Sequence, residues 1–141
     1  MLGFVKQGRT IPSAPATYTI SLYVIDGDSI SEYVSWDQES GVSTHSLRRI
    51  GEGRFTEKLQ RDLPALPKAS TCVLISSMGR RNPFFSLMEA GYAAVHIALQ
   101  SYAIGMESGI VVMSVDQMKR VQQSLGLKDM PMVMMPVGRG A

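Results

Sequence analysis

The chain has 141 residues, enough for one domain that buries most of its apolar surface and too few for two independent cores. Charged residues make up 18%, against about 25% in typical soluble domains, while 45% are apolar with tyrosine counted, so part of the apolar surface is expected to meet another subunit. A formal charge of +2, with lysine and arginine scattered, excludes the basic stripe on which backbone-driven nucleic-acid binding depends.

The single cysteine, Cys72, lies in the apolar run 71–75. It cannot form an internal disulfide and reads as a core thiol in a reducing, cytoplasmic setting. Residues 1–13 carry Lys6 and Arg9 but no apolar stretch long enough for an export signal. Residues 84–104 approach membrane-spanning length, yet Glu89, His96 and Gln100 interrupt them at intervals costly in lipid, which predicts a buried helix and no membrane partner.

In chain order, residues 19–26 alternate Ile20, Leu22 and Val24 against Ser21, Tyr23 and Ile25, and Asp26-Gly27-Asp28 follows, a strand and then a turn. Residues 32–36 and 42–48 flank the polar loop 37–41 and predict a small hairpin at the sheet edge. Over 56–63, Glu57 stands four residues before Arg61 and Phe55, Leu59 and Leu63 recur at helical spacing, with Pro64 as the stop: a short amphipathic helix. The β-branched run 71–76 reads as a buried, central strand.

Residues 84–104 are apolar around most of a helical circumference, as for a helix enclosed by a sheet and a neighbouring subunit, with Gly105 as its cap. Ser114 and Gln117 form a capping-box signature for a helix carrying Met118, Val121 and Leu125 and closed by Gly126. Residues 132–137 predict a last strand, and Met130, Met132, Met134 and Met135 read as adaptable core filling.

The segments Met88-Glu89-Ala90-Gly91-Tyr92-Ala93-Ala94, Leu99-Gln100-Ser101-Tyr102-Ala103-Ile104-Gly105, Leu125-Gly126-Leu127 and Met135-Pro136-Val137-Gly138 together resemble the C-terminal half of nitroreductase-family flavoproteins, closest to their SagB-type dehydrogenase branch. Arg9-Thr10-Ile11-Pro12-Ser13-Ala14, the hairpin around Trp36-Asp37 and Pro67-Lys68-Ala69 fit the same family in the same order. The resemblance implies one α+β domain over residues 1–141, with a central, mostly antiparallel sheet flanked by helices and one long buried helix. It also implies a homodimer, or a heterodimer with a related chain, holding flavin mononucleotide (FMN) at the subunit interface.

By the same likeness Pro12, Ser13 and Ala14 touch the flavin ring, Gly138 and Arg139 clasp its phosphate, Arg9 reaches the phosphate or lies on the surface, and a backbone amide within Ser108-Gly109-Ile110 supports the reactive edge. No catalytic side chain and no metal is implied, since the flavin carries the electron chemistry. His96 reads as a hydrogen-bonded core histidine, and Glu89 as an anchor of its helix.

The family's opening arginine-bearing helix is expected to be missing, which leaves FMN weakly held or completed by another subunit. Glu107 and Val112 stand where the family commonly has glycine, Pro15 where it usually keeps an amide donor, and Ser77 and Met78 where azoline-oxidising members carry Lys-Tyr. The expected activity is hydride transfer from a reduced nicotinamide to a quinone, nitro or similar planar acceptor. The alternative is a shortened, non-catalytic member that serves as a binding or assembly partner.

Overall fold

Continuous apolar runs in the middle of the chain, rather than strictly alternating ones, call for a sheet covered on both faces, and the computed structural model has that arrangement. It describes residues 4–5, 8–9, 20–36, 43–68, 71–78 and 83–139. Two short strands, β1 (Phe4–Val5) and β2 (Gly8–Arg9), pair with each other. The main sheet comprises β3 (Ile20–Asp26), β4 (Ser29–Trp36), β5 (Ser43–Glu52), β6 (Thr71–Ser77), β7 (Glu107–Ser108) and β8 (Met130–Gly138). Its order is β5-β4-β3-β6-β8-β7, and every pairing is antiparallel. The helices are α1 (Phe55–Asp62), α2 (Pro83–Ala103) and α3 (Val115–Leu125).

Strand alternation sends side chains to two separate cores. Tyr23, Ile25, Leu74 and Met134 meet Leu59 of α1 and Val121 of α3 on one face. Leu22, Val73, Ile75 and Met135 meet Ala90, Ala93, Ala94 and Ile97 of α2 on the other. Three alanines on the inner side of α2 let its backbone approach the sheet closely, and each fully buried Leu or Ile contributes about 1.5–3 kcal/mol.

Most expected elements appear close to their expected bounds. Gly27 takes φ +59 in the tight turn joining β3 to β4, Gly105 takes φ +78 after α2, and Gly126 takes φ +66 behind α3, so each sits where a left-handed residue is needed. Both arms of the Ser114–Gln117 capping box form. The hairpin is longer than expected, because β4 begins directly after the Gly27 turn and β5 runs to Glu52; β5 does form the sheet edge. The loop 37–41 lies outside the described residues.

One feature departs from expectation: the pairs β1–β2 and β7–β8 have no counterpart in the sequence pattern, since two-residue strands carry no periodicity of their own. Within this chain helix α2 buries its inner side on the sheet and leaves Phe84, Val95, Leu99 and Tyr102 exposed, Tyr102 by 84%. Among the described residues no helix is long and apolar enough to cross a membrane.

Candidate functional site

Four of the residues singled out in the sequence meet at one edge of the sheet. In the β7–β8 pairing Glu107 faces Gly138 and Ser108 faces Val137, which brings Ser108-Gly109 beside Gly138-Arg139. The pairing continues past β7: the Gly109 amide donates to the Pro136 carbonyl at 3.1 Å and the Val111 amide to the Met134 carbonyl at 2.8 Å. Positions 107, 109 and 111 thus turn their backbone groups inward to β8. In an antiparallel ladder the intervening residues face the other way, so the amides and carbonyls of Ser108 and Ile110 point out from the open edge. The amide available to a ligand here is that of Ser108 or Ile110, because Gly109 spends its own within the sheet.

Side chains alternate in step. Val111 packs on the α1/α3 core and Met113 is buried in it, so Ser108, Ile110 and Val112 project to the opposite face. Val137, opposite Ser108, packs towards α2, and continuing the alternation two residues on puts Arg139 on that same face. The edge therefore presents, in order, a guanidinium, a hydroxyl and two branched apolar side chains over roughly 20 Å, at about 3.3 Å per strand residue. Arg139 is exposed and has no ion-pair partner among the described residues. Ile110 is 58% and Val112 85% exposed.

Glu107 shares its face with Gly138 rather than with Ser108 and Arg139, so alternation turns its carboxylate away from the cation. Among the described residues neither glycine is demanded by packing: a Cβ on Gly138 would meet nothing within 4 Å, and one on Gly109 would meet only Pro136 Cγ at 3.9 Å.

The other expected residues fall elsewhere. Arg9 lies in β2, paired with Phe4, while Pro12, Ser13, Ala14 and Pro15 lie outside the described residues. His96 is half-buried rather than a core residue, and its Nδ1 lies 2.8 Å from the Tyr92 carbonyl one turn earlier. Glu89 is 2% exposed on the inner half of α2. Burial pushes the Cys72 thiol up to about 11, which leaves it protonated and unreactive at neutral pH. Among the described residues no group of three His, Cys, Asp or Glu side chains could hold a metal.

What sequence reasoning missed is the anchoring of β8. The Tyr23 hydroxyl donates to Asp129 at 2.6 Å, and Gln122 Nε2 donates to the carbonyls of Lys128 and Asp129 at 3.0 and 3.1 Å. These bonds fix the turn from which β8 departs and hence its register. Burial, and then the carboxylate of Asp129, raise the Tyr23 phenol above its ordinary value.

The same architecture occurs in solved structures. The E. coli microcin synthetase McbBCD complex with truncated pro-MccB17 bound contains a chain matching at TM-score 0.75 and 17% identity, over 94% of this chain and 56% of that one. A protein of Ralstonia eutropha provisionally named a nitroreductase matches at TM-score 0.74 and 19% identity, over 95% of this chain and 64% of that one. An FMN-dependent nitroreductase of Clostridium difficile matches at TM-score 0.65 and 16% identity, over 93% and 69%. The fold is nitroreductase-like.

No family model matches the chain. In sequence it is 28% identical, over 149 aligned positions, to a protein of Methanocaldococcus jannaschii also provisionally named a nitroreductase, covering 93% of this chain and 70% of that relative. The nitroreductase-like fold explains the expected α+β architecture. The chain spans little more than half of the E. coli chain it matches.

Proposed function

We propose that this chain is an FMN-dependent oxidoreductase that moves hydride from a reduced nicotinamide to a quinone, nitro or similar planar acceptor. The observation that carries the reading is the order of groups along the β7–β8 edge. Cation, hydroxyl and apolar side chains follow one another as phosphate, ribityl chain and ring do in FMN. Bound there, the flavin would accept a hydride from the nicotinamide and hand two electrons, with protons, to a quinone to give the hydroquinone.

The chain's own contributions are binding and orientation. Arg139 offers two parallel donors to a phosphate, and bare backbone at Gly138 admits close approach. The outward amides of Ser108 and Ile110 are fixed by the sheet before any ligand arrives, so they cost little ordering on binding. Ile110 and Val112 supply apolar cover that keeps water from one side of a planar ring. Ser13, Pro12, Ala14 and Arg9 complete the proposed set from the preceding segment.

The test is reconstitution. Protein dialysed to equilibrium against FMN at about millimolar concentration should take up flavin, read as visible absorbance above that of the outer buffer; no uptake rejects the reading, since that concentration saturates even a micromolar site. Arg139→Ala should weaken binding by about ten- to a hundred-fold, the loss of one charge-assisted hydrogen bond, without changing thermal stability.

A second reading has its own observation, the uncharged outer side of α2. This helix of 21 residues, about 30 Å long, exposes Phe84, Leu87, Met88, Val95, Leu99 and Tyr102. Such a face suits association with a second copy or with a related chain. The likeness to a chain of a multi-protein complex supports a role as assembly partner, with or without turnover. Within the SagB-type likeness, Ser77 is a buried hydroxyl and Met78 a half-exposed thioether, which argues against azoline oxidation.

A further inference from the structure

Resting on the reading of α2 as an association face, we propose that α2 crosses the α2 of a second copy of this chain at Gly91. At 3.6 residues per turn, Met88, Gly91, Val95, Leu99 and Tyr102 fall within an arc of about 80°, and all five are exposed. Gly91 stands in that stripe about 3 Å from the middle of the helix, at 1.5 Å per residue. A glycine inside a helix weakens it relative to alanine through the freedom of its backbone. Among the described residues nothing asks for one here: Gly91 is not a positive-φ glycine, and a Cβ on it would meet nothing within 4 Å.

The gap left by the missing side chain opens outward, so what fills it lies outside this chain. Bare helix backbone admits another backbone at closer range than the roughly 8–10 Å at which helices ordinarily pack. A second copy supplies the matching gap. A two-fold axis through this point sets glycine against glycine and apolar stripe against apolar stripe. The stripe carries no charge to repel its copy, because Glu89, the one charged residue of α2, is buried on the inner side. Ile104, Ile110 and Val112, exposed beyond the helix end, extend the apolar surface toward the roughly 800 Å² per partner that a stable dimer buries.

The test is cysteine cross-linking of the intact chain, whose own Cys72 is buried. Under oxidised glutathione Gly91→Cys should form a disulfide-linked dimer, because a position on the two-fold axis meets its own copy within the roughly 4.4–6.8 Å between Cα atoms that a disulfide spans. Tyr102→Cys, at a fully accessible position but about 16 Å along the helix from Gly91, should not. Gly91→Leu should keep the helix content of wild type by circular dichroism and raise the dimer dissociation constant by about ten- to a hundred-fold in analytical ultracentrifugation, the effect of overfilling a close contact. Cross-linking at Tyr102 as readily as at Gly91, or an unchanged dissociation constant in Gly91→Leu, overturns the crossing and leaves association through α2 standing. A wild-type chain that is monomeric at about 0.1 mM, far above the dissociation constant of a stable dimer, overturns both.

Discussion

Cys72 and Tyr23 are one strand apart on the same face, and both are held above their ordinary titration ranges by burial, Tyr23 additionally by Asp129. Each keeps a proton in the folded state that the unfolded chain would release earlier, from 9.0 for the thiol and 10.0 for the phenol. Their contribution to stability is therefore complete below pH 9 and is lost as pH rises through 11 and beyond. Melting temperature followed by circular dichroism from pH 7 to 11 should fall only on the alkaline side. Tyr23→Phe, although less stable by roughly 1.5–3 kcal/mol for the lost bond to a carboxylate, should show a shallower fall. Ser76 is the opposite case: its hydroxyl is wholly buried and has no hydrogen-bond partner among the described residues. Ser76→Ala removes an unsatisfied group and should stabilise the fold by about 1 kcal/mol, measured by urea unfolding.

At the scale of elements, what could be read from sequence depended on whether a signal was local. The cap of α3 was readable because Ser114 and Gln117 bond to each other's backbone within one turn. Ser114→Ala should cost about 1 kcal/mol, seen as a lower midpoint in thermal unfolding with helix content retained. Strand β6 was readable from its unbroken apolar run. Strand β7 was not, because two residues become a strand only through the register of β8 some thirty positions later, and that register is set by Tyr23, Gln122 and Asp129. The site shares this history. Ser108, Gly109, Gly138 and Arg139 were found by family likeness, whereas their common edge, the outward Ile110 amide and the turning away of Glu107 needed the pairing. Which amide of Ser108-Gly109-Ile110 faces outward was not legible, because nothing in that segment itself distinguishes an outward from an inward amide.

For the molecule as a whole, the sequence carried a surplus of apolar residues over what one core needs, and the fold places much of that surplus on the outer side of α2. A standard interface buries about 800 Å² on each partner, which a helix of this length with large exposed side chains can supply. Replacing Val95 and Leu99, both more than half exposed, by aspartate should leave the fold intact and convert an associated species to a monomer in light scattering coupled to size-exclusion chromatography. Wild-type protein that already runs as a monomer would reject association through this face.

Pro136 lies in β8, an interior strand, with its carbonyl turned to Gly109. Its ring nitrogen faces the same side and has no hydrogen to give, so the seam between β7 and β8 is sewn from one direction at that point, while the seam to β6 is untouched. Breathing of the sheet should therefore begin at the margin where a ligand is proposed to lie. A guest lodged there would act as the missing stitch, tightening the margin as it binds.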